Sequence, residues 1–200
     1  MKLTIIGASG HGRVIADAAL LMGYREIEFL DDNPNLTECG GFPVTGPSGD
    51  CAGKDNDIII GIGNTSIRKR LSEKYADRRM PVIIHPGAVV SDTVKVGRGT
   101  VVMAGAVINP GAVVGRSCII NTGSSVDHDC ILGDYVHVAV GARVCGSVQI
   151  GNETWIGAGS TVINNVSICG GCMIGAGAVV INDIREPGTY VGVPAKRLQS

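Results

Sequence analysis

The chain has 200 residues, a net charge of −1, 44% hydrophobic residues, only 4% aromatic residues and 30 glycines. Near-neutral charge excludes a field that would hold nucleic acid or an anionic membrane, and no run reaches the roughly 18 apolar residues needed to span a bilayer. A core poor in Phe and Trp must be filled by small and β-branched side chains, and glycine far above the usual share of about 7% points to many tight turns.

The N-terminal residues do not read as a signal peptide. Residues 3–6 (LTII) read as a buried strand, followed by the turn GASGHG (7–12). A helix comes next, with apolar spacing at Val14, Ala18, Leu21 and Met22 and a stop at Gly23. IEFL (27–30) forms a second strand ending in Asp31 and Asp32. DIIIGIG (57–63) forms a third and leads into a helix from about Thr65 to Tyr75. This order predicts a small Rossmann-like parallel sheet whose Gly-rich loops line one edge, where open α/β sheets bind ligands. GASGHG departs from GxGxxG, yet a backbone nest near a helix N-terminus suits a phosphate, and Asp31 and Asp32 suit a ribose or base. The plain alternative is a tight turn and two strand-ending aspartates. Residues 33–56 read as a variable connection.

From Ile84 a different rhythm begins. Stepping by six gives seventeen aliphatic residues without a break, from Val90, Val96 and Val102 through to Ile174 and Val180. Small or β-branched residues stand two before many of them, among them Ala106, Ala112, Cys118, Ser124, Cys130 and Cys172. A period of six is neither helical nor simple strand alternation. It fits a short strand and a tight corner, the aliphatic residue inside, with three units making one 18-residue coil of a stacked solenoid. Glycine follows the aliphatic residue at Gly97, Gly115, Gly133, Gly151, Gly157 and Gly175, where unusual backbone angles are expected. Few charges fall between residues 84 and 180, so the faces of the prism invite packing against other subunits. The expected domains are 1–81 and 82–200. Seven cysteines, an odd number, read as buried thiols in a reducing cytoplasm.

This run resembles the left-handed parallel β-helix of the hexapeptide-repeat acyltransferases. The segments IIGASGHG (5–12), EFLDD (28–32), GIGN (61–64), INTGSSVDHDCILGDYVHVAVGA (120–142) and VGVPAKR (191–197) are similar to sugar O- and N-acyltransferases of the sialic acid O-acetyltransferase type. The nearest resemblance is to the group that N-acetylates UDP-linked 4-amino sugars in bacillosamine synthesis. The resemblance implies a homotrimer with active sites between subunits, acetyl-CoA as co-substrate and no metal. It places Ser9, Gly10 and His11 at the phosphates, Asp31 and Asp32 at the uridine, and Gly63 and Asn64 near the sugar or uracil. Ser66 stands where some relatives carry an acidic residue. It also implies acetyl-CoA in a groove between β-helices, beside Ala158 and Ala176, with Lys196 and Arg197 at its phosphates.

Four histidines are present: His11, His85, His128 and His137. His128, in VDHDC, has the chemistry of a general base near neutral pH, and a neighbouring carboxylate can fix its tautomer and raise its basicity. By resemblance His128 is the base and Asp129 its partner. One coil later stands Gly146, whose amide could steady an oxyanion. His137, a candidate acetyl-CoA contact, lies half a coil from His128, so the two meet only across a subunit border. Asn121, sixteen residues before His137, could share a polar pocket with it. Three rivals stay open: O-acetylation of sialic acid or a related sugar, a zinc enzyme of the γ-carbonic anhydrase type, and a non-catalytic solenoid.

Overall fold

The computed structural model describes residues 1–51 and 56–199. The N-terminal part runs β1 (Lys2–Ile6), α1 (Gly10–Leu21), β2 (Glu26–Leu30), β3 (Glu38–Cys39), β4 (Phe42–Pro43), β5 (Asp57–Ile60) and α2 (Thr65–Lys74). β1 lies between β2 and β5, all parallel. Such a sheet is covered on both faces, which is why LTII and DIII are continuous apolar runs rather than alternating ones. The connection at 33–51 holds the β3–β4 hairpin and a short 3₁₀ turn at Ser48–Cys51.

The structure corrects the face of α1. Val14, Leu21 and Met22 are exposed, and the buried face is Gly12, Ile15, Ala16, Ala18 and Ala19. The reason is close approach: a Cβ at Gly12 would collide with the carbonyl of Gly7. Small residues therefore dominate the face against the sheet, with Ile15 its one large side chain, while Val14, Leu21 and Met22 are left outside.

From Ile83 the chain forms seventeen two-residue strands, Ile83–Ile84 to Val179–Val180, wound as a left-handed parallel β-helix. The six-step aliphatic residue is the second residue of every strand. Register runs at one coil, for example Val107↔Ser125 and Ile108↔Val126. From Val102 onward these side chains are buried, with Ala106, Ala112, Cys118, Cys130, Ala142, Cys172 and Ala178 filling the corners between them. Each fully buried aliphatic contributes roughly 1.5–3 kcal/mol, so stacked coils, not large aromatics, hold the prism together.

A second correction concerns glycine. The residues after each aliphatic, such as Gly97 and Gly115, do not take left-handed angles. A Cβ on Gly97 would instead lie 2.5 Å from the Arg116 amide of the next coil. The left-handed positions fall two residues later, in three columns along the edges. The edge before the first face has Gly99, Ser117, Tyr135, Glu153 and Gly171; the next has Gly105, Gly123, Gly141, Gly159 and Gly177; the last has Gly111, Asp129, Ser147 and Asn165.

The first face carries the N-terminal part. Its outward column reads Ile83, Val101, Ile119, His137, Trp155, Met173. Ile83, Val101 and Ile119 are buried in one cluster with Leu3, Ile15 and Phe29 of the sheet and α1. Beyond them the column turns polar at His137.

Candidate functional site

His128 and Asp129 sit on the edge between the second and third faces. His128 Nδ1 is 2.9 Å from Asp129 Oδ2. A carboxylate only accepts, so Nδ1 carries the proton and Nε2 is the free base nitrogen. That hydrogen bond, with the nearby charge of Asp127, raises the His128 pKa above its ordinary 6.5. Asp129 holds φ +59°, a left-handed angle that costs a non-glycine residue about 1 kcal/mol. The His128 amide donates to Asp127 Oδ1 at 2.8 Å, and Asn109 Nδ2 donates to the same oxygen at 2.7 Å. These bonds lower the Asp127 pKa, with Asn109 the larger cause. Gly146 stacks one coil on: a Cβ there would collide with His128 Nε2, and the Gly146 carbonyl already accepts from Asn165.

A second group lies around the first face and the edge that follows it. His137 is buried, its ring 4.2 Å from that of Trp155, with Nε2 3.1 Å from Asn121 Nδ2. Its Nδ1 is buried without a partner. Burial, then the Arg68 charge, pull its pKa down to about 3, so it is neutral near pH 7. Ala158 and Ala176 are exposed along the following edge, and Gly159 and Gly177 beside them have nothing within 4 Å of a built Cβ. This leaves an open, side-chain-free strip that a pantetheine arm could follow. The tail returns to the first face, where Thr189–Val191 pairs with Met173–Ile174 and Lys196–Arg197 pairs back on it. Lys196 is exposed, while Arg197 Nη1 is 2.6 Å from Glu186 Oε2.

The residues expected at a nucleotide follow the strands of the N-terminal sheet. Ser9 caps α1, accepting from the Gly12 amide at 3.3 Å and donating to the Gly61 carbonyl at 3.3 Å. Gly7 and Gly12 are close-packing glycines, whereas Gly10 is open. His11 Nε2 is buried without a partner, and burial followed by the Arg68 charge lowers its pKa to about 4. It is therefore a neutral hydrogen-bonding group rather than a cation. Asp31 accepts from the Ala8 amide at 2.8 Å, and Asp32 from the Ser48 amide at 2.8 Å and Ser48 Oγ at 3.0 Å. Both aspartates line a cavity of about 400 Å³ closed by Pro34, Thr37, Thr45 and Pro47. Asn64 caps α2, accepting from the Ile67 amide at 3.1 Å and from Ser66 Oγ at 2.8 Å. Gly63 has open space where a side chain would stand.

The structure thus sorts the expected residues into three sets. His128, Asp129 and Gly146 share one edge. His137, Asn121, Ala158, Ala176 and the tail gather around another, and Ser9, Gly10, His11, Asp31, Asp32, Gly63, Asn64 and Ser66 lie at the strand ends and helix starts of the N-terminal part. Sequence reading missed Asn109 and Asp127, though their separation of one coil could have found them. It also missed Arg68, which has no sequence signal beyond a charged helix. Among the described residues no group of three or more His, Cys, Asp or Glu side chains is placed to hold a metal ion, and no helix is long and apolar enough to cross a membrane.

The profile of the PglD N-terminal domain matches residues 2–75, and that of the six-repeat bacterial transferase hexapeptide matches residues 147–182. Over 111 residues the chain is 36% identical to UDP-N-acetylbacillosamine N-acetyltransferase of Bacillus subtilis (strain 168). That match spans 52% of this chain and 51% of the relative, so it covers about half of that protein's length. The acetyltransferase domain of PglB from Neisseria gonorrhoeae FA1090 is 41% identical with a TM-score of 0.95, over 98% of this chain and 99% of that one. The same domain in complex with acetyl coenzyme A is similar at a TM-score of 0.94, 41% identity and 98% of both chains. PerB from Caulobacter crescentus, in complex with CoA and GDP-perosamine, is 35% identical with a TM-score of 0.93, over 100% of this chain and 98% of that one. The chain belongs to the hexapeptide-repeat sugar acyltransferases that carry a PglD N-terminal domain, and within them it stands with the acetyltransferases.

Proposed function

We propose that this chain transfers acetyl from acetyl-CoA to the amino group of a UDP-linked amino sugar, with His128 as general base. The observation that carries this reading is the His128 imidazole, anchored at Nδ1 by Asp129 and with Nε2 against Gly146. As the amine nitrogen attacks the thioester carbonyl carbon, Nε2 takes its proton. The Gly146 amide steadies the oxyanion of the tetrahedral adduct. Collapse breaks the C–S bond, and the departing thiolate regains a proton from the imidazolium. The thioester is already activated, so no acyl-enzyme is required.

The acceptor side rests on three features: open amides at Gly10 and His11 on the α1 N-terminus for the pyrophosphate, the cavity at Asp31 and Asp32 for the base, and Gly63 and Asn64 for the sugar. The choice of an amine follows the relatives named N-acetyltransferases. UDP follows the bacillosamine relative, while PerB is complexed with GDP-perosamine. Calorimetry with UDP, GDP and CMP tests the base, and binding of none of them would point to a free sugar. Thiol release from acetyl-CoA with UDP-4-amino sugars tests the reaction. Release with hydroxyl but not amino acceptors would replace it by O-acetylation.

We further propose a homotrimer. Val113, Ile131, Ile163 and Ile181 are exposed on or beside the His128 edge. A head-to-tail ring would set that edge against the Ala158–Ala176 strip and His137 of a neighbouring copy, closing with threefold symmetry. Seven cysteines, an odd number, suit a reducing cytoplasm.

The His128–Asp129 pair gives a pH prediction. A base must be unprotonated, so kcat/KM falls as pH drops through the His128 pKa. Asp129 raises that pKa above 6.5, so the acidic limb of the wild-type profile lies above 6.5. Asp129→Asn removes the main cause and moves the limb to lower pH. A limb that stays in place in this variant would show that another group sets it.

A further inference from the structure

We infer that Arg68 is a positioning residue, fixing the Ile62–Asn64 loop, and with it the acceptor nucleotide sugar, at one height on the β-helix. This deepens the proposed function and rests on it.

Arg68 lies on α2 between Thr65 and Lys74, in a run of basic residues that would ordinarily reach water. It is instead 1% exposed. Its guanidinium donates to four carbonyls: Ile62 at 3.1 Å and Gly63 at 2.7 Å in the loop, Ser117 at 2.9 Å and Tyr135 at 2.8 Å in the coil. Ser117 and Tyr135 occupy consecutive positions in one edge column, so a single planar fork clips a loop of the N-terminal part to two successive coils. No carboxylate pairs with it among the described residues. Burial lowers its pKa to about 10, which leaves it protonated near neutrality.

A buried cation with only carbonyl partners is a poor source of stability, because its desolvation offsets much of what the hydrogen bonds contribute. An apolar side chain of similar length would hold α2 as well. What an apolar side chain cannot do is fix the loop carbonyls and the coil carbonyls in one plane. In the same column Ser117, Tyr135 and Glu153 hold left-handed φ of 50°, 62° and 63° without being glycine. Each of the three meets α2. Ser117 Oγ is 2.7 Å from Ser72 Oγ, Glu153 Oε1 is 2.6 Å from Lys69 Nζ, and Tyr135 accepts from Arg68. Two residues beyond Tyr135 stands His137, on the same strand face that the N-terminal part covers. The loop that would hold the acceptor is therefore tied, through one side chain, to the register of the buried imidazole.

The test uses the full chain with Arg68→Met, Arg68→Lys and, as a docking control, Lys69→Ala. With acetyl-CoA and a UDP-4-amino sugar, Arg68→Met should raise KM for the nucleotide sugar, and Kd for UDP, by about tenfold or more while KM for acetyl-CoA changes less than about twofold. Arg68→Lys, with donors converging on one nitrogen, should show a smaller rise of the same kind. Lys69→Ala should lower the melting temperature and leave both KM values alone. An unchanged nucleotide-sugar KM, or an equal rise for both substrates, in a folded Arg68 variant overturns the inference. Should Arg68→Met not fold, Arg68→Lys decides by the same criterion. A wild-type chain that turns over no UDP-4-amino sugar would count against the proposed function, not against this coupling. Amide hydrogen exchange at positions 67 and 68, whose amides bond Asn64 of the loop, needs no substrate: faster exchange in the Arg68 variants supports the inference, and unaltered exchange overturns it.

Discussion

Replacing His128 with alanine should lower kcat by about 10²–10⁴-fold, the range that a positioned general base contributes, while KM for acetyl-CoA stays within a few-fold of wild type. The side chain lies at the surface of an edge and takes no part in the core. The variant should therefore fold and melt as wild type does, and it should still bind the nucleotide. Its loss belongs to the proton-transfer step. Steady-state kinetics, circular dichroism and calorimetry together separate these effects. A folded His128→Ala chain with kcat within about threefold of wild type would remove His128 from the mechanism.

Gly146→Ala is the second change with a large expected effect. The backbone at this position is not left-handed, so alanine is conformationally allowed. The new methyl would nevertheless occupy the space of His128 Nε2. The imidazole must swing away, and the adjacent amide loses its line to the reacting carbonyl. Loss of a single oxyanion donor lowers kcat by about 10²–10³-fold, and displacement of the base adds to that. Stability should barely change, because the methyl meets a surface side chain rather than the inner column. Wild-type kcat in Gly146→Ala would mean that the nitrogen and the glycine face are not both used.

Much of the β-helix could be read from the chain because its physics is one-dimensional. A six-residue rhythm fixes which side chains point inward, and a separation of eighteen fixes which residues stack. That is how His128 meets Gly146 and how Asn121 comes within 3.1 Å of His137 across a coil boundary. The same rule would have found Asn109 beneath Asp127. What could not be read depends on contacts between the two halves. The apolar spacing of α1 pointed to Val14, Leu21 and Met22, yet close packing at Gly12 turned the alanines inward. Nothing in the triplet Arg68–Lys69–Arg70 distinguishes a buried guanidinium from its solvated neighbours. Left-handed corners at Ser117, Tyr135 and Glu153 carry no glycine to announce them. The resemblance placed Ser9 and Asn64 at the ligand, and Ser66 where some relatives carry an acidic residue. In the fold their side chains bond helix starts or strand-end carbonyls, while the Gly10 and His11 amides and the Gly63 space stay open.

In the proposed shared site one chain supplies the base, His128, and its neighbour supplies His137, which we propose contacts the acetyl-CoA in the groove between chains. Co-assembling equal amounts of His128→Ala and His137→Ala chains tests this. Each variant alone should be nearly inactive. In a mixed threefold ring each interface has about a one-in-four chance of pairing an intact His128 with an intact His137, so the mixture should regain about a quarter of wild-type activity. Activity no greater than the sum of the two separate variants, in particles that light scattering confirms are mixed, would contradict a site shared between chains.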